Sequence, residues 1–174
     1  MTSSPELTGA GLEALNALPA ANAERQLSTC CASRAWVGRM AAGRPYADLD
    51  ALLEASDRAV AELDRESLAE ALAGHPRIGQ RAAGSSTEAV WSRREQASVG
   101  DADAEVRAAL EEGNRAYEER FGHVFLINAS GRSAQEMLAA LHERLGNDPD
   151  TEWGVVAEEL RQITRLRLER LLRS

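Results

Sequence analysis

Apolar residues recur at helical spacing along nearly the whole chain, which leaves little room for strands. Leu12, Leu15 and Leu18 open the pattern, which stops at Pro19. A stretch over residues 21–42 carries Leu27, Cys30, Cys31, Trp36, Val37 and Met40 and ends at Gly43. Leu49, Leu52, Leu53, Ala59 and Val60 repeat the spacing over 48–63, and a short helix over 67–74 ends in Gly74. The apolar content is rich in Ala and Leu, while aromatic residues make up only 4% of the chain. Those preferences favour helix over strand, so the fold class predicted is all-α.

Punctuation divides the second half. Residues 75–84 read as a loop holding Pro76, Gly79 and Gly84. Ser85 with Glu88 forms a capping-box signature for a helix reaching about Val99. Asp101 or Asp103 can start the next, which ends near Phe121. Residues 124–128 are the one stretch that could be extended. Ser133 with Glu136 marks a helix to Leu145, and Asn147, Asp148 and Pro149 form a turn before a last helix over about 151–172. A chain of 174 residues fits one domain. The expected organisation is a loose, polar N-terminus over 1–10, then a single compact bundle of about eight helices over 11–174.

The net charge of −8 opposes nucleic-acid binding, which needs a basic face to neutralise phosphate. No apolar run approaches a membrane span, and residues 1–11 lack a basic stretch followed by an apolar one, so the cytoplasm is the expected compartment. Cys30 and Cys31 are adjacent, poor geometry for pairing with each other, and read as small buried hydrophobes within a helix. The chain contains no lysine; every one of its 20 basic residues is Arg. Schiff-base chemistry, pyridoxal phosphate attachment and a P-loop all need a lysine amine, so a chain acting alone cannot use them.

Three places could carry chemistry. His75 follows a helix-ending Gly and precedes Pro76, which restrains the backbone and suits a proton shuttle; a surface loop histidine would read the same way. Ser92, Glu95, Gln96 and Val99 stand at i, i+3, i+4 and i+7 and so share a helical face, as a solvated face would also. In the last helix Trp153, Val156, Leu160 and Ile163 make an apolar stripe whose next step lands on Arg167. A guanidinium on a core stripe can grip a carboxylate bidentately, or snorkel outward near a helix end. His123 and His142 read as packing and helix-flank residues. The three histidines have no metal-ligand spacing.

Taken in order, several short motifs resemble one family. They run from Asn16 through Cys30-Cys31-Ala32-Ser33, Trp36 and Arg44-Pro45-Tyr46 to His75-Pro76-Arg77-Ile78-Gly79 and Ser92-Arg93-Arg94-Glu95-Gln96. Asn114, Tyr117, Phe121 to Ala129, Arg144-Leu145-Gly146-Asn147-Asp148 and Ile163 to Leu168 complete the set. The chain resembles the 2-oxo-4-hydroxy-4-carboxy-5-ureidoimidazoline (OHCU) decarboxylases over most of its length. Tyr46 departs from the family's usual Phe, and Asn128 from its usual Cys or small residue.

The resemblance implies the all-α OHCU decarboxylase fold, a homodimer and no metal or organic cofactor. It also implies a small-molecule substrate and a place after a separate hydroxyisourate hydrolase. It assigns His75 as the catalytic histidine and places Glu95 against the substrate, where a carboxylate can hold the imidazole or the substrate hydroxyl in position. Pro76, Ser92, Gln96 and Arg167 become substrate contacts, and the main chain of Leu126, Ile127 and Asn128 a strip of amide donors and acceptors. A helical ligand-binding module without catalysis and a metal-dependent helical hydrolase are the other readings of the residues alone.

Overall fold

The computed structural model describes residues 5–79, 86–100 and 104–173. These residues form α-helices and connecting turns, in the order α1 (Pro5–Ala17), α2 (Ala20–Ser28), α3 (Arg34–Ala42), α4 (Leu49–Ala61) and α5 (Arg65–Leu72). Then come α6 (Thr87–Glu95), the single turn α7 (Ala97–Gly100), α8 (Ala104–Phe121), α9 (Ala134–Arg144) and α10 (Pro149–Arg173). The all-α prediction holds. The described segments outnumber the expected eight because two predicted helices are split.

The first split falls at residues 29–33. Thr29 turns its hydroxyl onto the Gln26 carbonyl at 2.6 Å, and Ser33 caps α3 by accepting from Trp36 N at 3.3 Å. Short polar side chains that bond their own backbone compete with the helix ladder, which the apolar spacing over 21–42 did not reveal. Cys30 and Cys31 are buried and free, as expected, but they lie in this break rather than in a helix. Burial pushes the Cys31 thiol up to about 11, so it is a poor nucleophile at neutral pH.

Other boundaries shift by a residue or a turn. The cap of α6 is Ser86, whose side chain accepts from Ala89 N; Ser85 lies outside the described residues, as do Asp101 and Asp103. The cap of α9 is Ser133, as its signature predicts. Helix α10 begins at Pro149, two residues early, with Asp148 accepting from Thr151 N at 2.9 Å. Helix α1 begins at Pro5, inside the segment expected to be loose; proline's fixed φ suits a first helical turn.

The chain divides into two compact units, one of residues up to 71 and from 161 onward, the other of residues 72–160. In the first unit α2 packs on α3, α3 on α4 and α1 on α4, around Leu27, Trp36, Met40 and Leu52. Its motif residues have structural duties. Asn16 and Tyr46 exchange two side chain–main chain bonds of 3.0 and 2.9 Å, and Arg44 Nη1 donates to the carbonyls of Leu15 and Leu18 at the end of α1, both at 2.8 Å. The hydroxyl that distinguishes Tyr46 from Phe donates to the Met40 carbonyl at 2.8 Å.

Trp36, fully buried, donates its indole N–H to the Ser56 hydroxyl at 3.2 Å, and Ser56 is fully buried too. Ser56→Ala should therefore lower stability by about 1–3 kcal/mol, because a buried indole N–H loses its acceptor. Chemical denaturation would read this as a lower midpoint at unchanged slope. An unchanged midpoint would mean the bond contributes nothing.

In the second unit α8 packs on α9 around Leu110, Tyr117, Phe125, Met137 and Leu141. The predicted stripe of α10 needs one correction here. Val156 and Leu160 are buried, but the preceding buried position is Glu152, while Trp153 is half-exposed against the His123 ring. Glu152 is buried because it is fully partnered, by Tyr117, Arg144 and Asn147.

Candidate active site

The loop carrying His75 is fastened at four points. His75 N donates to the Leu72 carbonyl at 3.0 Å, closing the end of α5. Arg77 grips Glu118 of α8 with two bonds of 2.5 and 2.8 Å. Asn114, one turn earlier on the same helix, donates to the Ile78 carbonyl at 2.7 Å. Gly79 sits at φ +91°, a left-handed conformation that a side chain would resist, and its N–H reaches Gln96 Oε1 at 2.9 Å. His75 and Pro76 are half-buried within this frame. These bonds fix the main chain from which the His75 side chain projects.

The Gln96 bond brings the loop and α6 together, joining two of the three sequence-predicted places. It also corrects the helical-face argument. Helix α6 ends at Glu95, and Gln96 leaves helical geometry at φ −100° and ψ 18°, so Val99 belongs to α7 and not to one continuous face. Ser92 is buried, whereas Glu95 and Gln96 are half-buried. With its carbonyl oxygen on Gly79, Gln96 presents the NH2 end of its amide as the remaining donor.

The strip over residues 126–128 runs between α8 and α9. The Leu126 carbonyl accepts from Arg144 Nη1 at 2.7 Å, and Asn128 N donates to Glu159 Oε2 at 2.9 Å. Leu126 and Ile127 are buried. Two of the strip's peptide groups are thus committed to the protein. Arg144 and Glu159 were not assigned roles by sequence reasoning, although Arg144 stands in one of the quoted motifs. Asn114 was likewise quoted without a role, and Glu118 was not singled out.

Arg167 belongs to the first unit and is 2% exposed, so it does not snorkel. Cys31 and Thr164 share its buried surroundings, and its charge draws the Cys31 thiol slightly down against the larger effect of burial. His123 packs among the Tyr117, Phe121 and Trp153 rings, and His142 is exposed on α9. A cavity of about 640 Å³ is bordered by Arg77, Ile78 and Gly79 of the loop and by Arg107, Asn114 and Glu118 of α8. His75, Ser92 and Glu95 do not line it. Among the described residues no three His, Cys, Asp or Glu side chains gather as a metal site, and no helix is long and apolar enough to cross a membrane.

Comparison with known proteins adds what geometry alone does not. The family model described as OHCU decarboxylase matches residues 16–169. The chain belongs to the OHCU decarboxylase family. Among its relatives, the uric acid degradation bifunctional protein TTL of Arabidopsis thaliana is 33% identical over 152 residues, which cover 85% of this chain and 47% of that protein. The chain thus spans about half the length of that relative. The 2-oxo-4-hydroxy-4-carboxy-5-ureidoimidazoline decarboxylase of Haloferax volcanii is 28% identical over 134 residues, covering 76% of this chain and 79% of the other. The crystal structure of OHCU decarboxylase in the presence of (S)-allantoin is similar at a TM-score of 0.74 and 29% identity, over 84% of this chain and 96% of that one. The OHCU decarboxylase fold is therefore the fold of this chain.

Proposed function

We propose that this chain catalyses the stereospecific decarboxylation of 2-oxo-4-hydroxy-4-carboxy-5-ureidoimidazoline to (S)-allantoin in urate breakdown. The observation that carries the reading is the family match over residues 16–169, which includes every proposed site residue, all of the second compact unit and most of the first.

The substrate holds its carboxylate on a carbon that also bears a hydroxyl, beside a ring carbon in a C=N bond. When the carbon–carboxylate bond breaks, its electron pair moves into the ring and the imine nitrogen takes it up with a proton. Carbon dioxide leaves and an enol remains. The enol then collapses to a carbonyl while the neighbouring carbon takes a proton on one face. The electron sink lies in the substrate, so a chain without lysine can do this chemistry.

His75 acts on the hydroxyl proton, and its fastened loop holds the imidazole for that task. Glu95 orients the imidazole or the hydroxyl. Ser92, Pro76 and the Gln96 amide contact the ring, and the main chain of Leu126, Ile127 and Asn128 meets the ureido and ring amides. Arg167 anchors an anionic or urea part of the substrate. A tight grip on the leaving carboxylate itself would oppose reaction, because only binding gained in the transition state accelerates it.

The active species proposed is a cytoplasmic homodimer that receives its substrate from a separate hydroxyisourate hydrolase. Incubation with freshly generated substrate, followed by circular dichroism, tests the reading. The enzyme should give one allantoin enantiomer, whereas the spontaneous route gives a racemate. A racemic product at the spontaneous rate would refute it. Activity should also survive exhaustive chelation and dialysis, because the proposed path runs through substrate and side chains alone. A stoichiometric metal whose removal and return switched activity off and on would refute the cofactor-free path.

A further inference from the structure

The buried Arg144–Glu152 pair is by itself weak evidence of a stabilising role. Arg144 is 6% exposed and Glu152 fully buried, and a buried ion pair can often be replaced by apolar side chains without loss. What the pair does do is hold main chain. Arg144 Nε donates to Glu152 Oε1 at 2.8 Å, and its Nη1 donates to the Leu126 carbonyl. The guanidinium is itself fixed, lying 4.4 Å over the Phe125 ring. Glu152 is fixed in turn by the Tyr117 hydroxyl at 2.6 Å and by Asn147 Nδ2 at 3.0 Å. Burial, then the Glu152 hydrogen bond, holds the Tyr117 hydroxyl well above its usual range, so it stays a donor at any working pH.

A second hold lies two turns further along α10. Glu159 stands seven residues after Glu152 and so shares its face of the helix. Its carboxylate accepts from Asn128 N at 2.9 Å, with Arg132 3.7 Å from its other oxygen. The strip is therefore held at two peptide groups, the carbonyl of residue 126 and the N–H of residue 128, by two charged side chains. Ile127 between them is buried, and no hydrogen bond from another described residue reaches its N–H or carbonyl. Buried peptide groups are ordinarily paired, and a ligand's amide can supply that pairing.

We propose that Arg144 and Glu159 are positioning residues of this decarboxylase, holding residues 126–128 at two peptide groups and so setting the register of the Ile127 peptide against the substrate. This rests on the reading above that the strip meets the substrate's amides. Neither residue touches the reacting atoms. Their effect is on how well substrate is held and on which face of the ring is offered.

Glu159→Ala should raise KM roughly tenfold or more, the scale of a lost hydrogen bond to a charged group, with a smaller change in kcat and a lower enantiomeric excess of allantoin. Glu159→Gln should recover most of the KM, because its amide carbonyl still accepts from Asn128 N–H. A residue needed only for stability would lower the melting temperature and the active fraction but leave the KM of the folded fraction alone. An unchanged KM in Glu159→Ala overturns the proposal, and so does a Gln variant as impaired as Ala. If the Ala variant does not fold, Glu159→Asp keeps the charge and withdraws the acceptor by one methylene; raised KM supports the proposal and unchanged KM overturns it.

Titrating allantoin into the 15N-labelled wild-type protein separates the two layers of the argument. If the Leu126, Ile127 and Asn128 amide signals do not shift, the strip reading fails. If they shift while the Glu159 variants keep wild-type KM, only the positioning proposal falls.

Discussion

His75→Ala is expected to abolish stereospecific decarboxylation while leaving the protein folded. The loss should be about 100-fold to 10,000-fold in kcat, the usual contribution of a positioned acid or base. The fold should survive because four bonds that fasten the loop lie outside the imidazole. The His75 N–H bond to Leu72 is main chain, and the remaining three run through Arg77, the Ile78 carbonyl and the Gly79 N–H. Helical content and melting temperature near wild type, with optical activity of the product lost, is the expected pattern. Most of the turnover surviving in His75→Ala would show that another group moves the proton. Asn114→Leu offers a contrast. It removes the donor to Ile78 and loosens the loop without touching the histidine, so it should lower kcat while the protein's response to pH stays that of wild type.

The fold class was readable because helical periodicity is a local signal, repeated in every segment. What periodicity could not show was where short polar side chains turn back on the backbone. Thr29 and Ser33 split one predicted helix, each through a local side chain–main chain bond, while α6 ends where Gln96 leaves helical geometry and reaches Gly79. The same limit hid the supports of the candidate site. Asn114 and Glu118 read as polar positions on α8, and only the folded chain brings them to Ile78 and Arg77 from 36 and 41 residues away. Glu152 and Glu159 look like the solvated face of α10, yet both are buried against partners far along the chain. Arg167 was legible for the opposite reason. Its place on an apolar stripe is a local anomaly, and the side chain is indeed buried.

That burial sets the last expectation. Arg167→Lys should lower kcat/KM by roughly tenfold to a hundredfold, on the order of the 1.5–3 kcal/mol carried by one charged hydrogen bond. Two physical differences drive it. A planar guanidinium can make parallel bonds to a carboxylate or urea group, whereas an ammonium is a point charge of different reach. A lysine at a site only 2% exposed also sheds its proton far more readily than arginine, so the positive charge itself is at risk near neutral pH. Arg165→Lys is the control. Arg165 is about one-third exposed and pairs with Asp57 at 2.6 Å, an interaction a lysine can largely reproduce and one worth about 0–1 kcal/mol at such a site. It stands two residues from Arg167 on another face of the same helix, so it reports general damage to α10. Equal losses of catalytic efficiency in the two variants would place Arg167 outside the substrate site. A selective loss in Arg167→Lys, at a melting temperature matching Arg165→Lys, would tie the buried guanidinium to substrate binding rather than to packing.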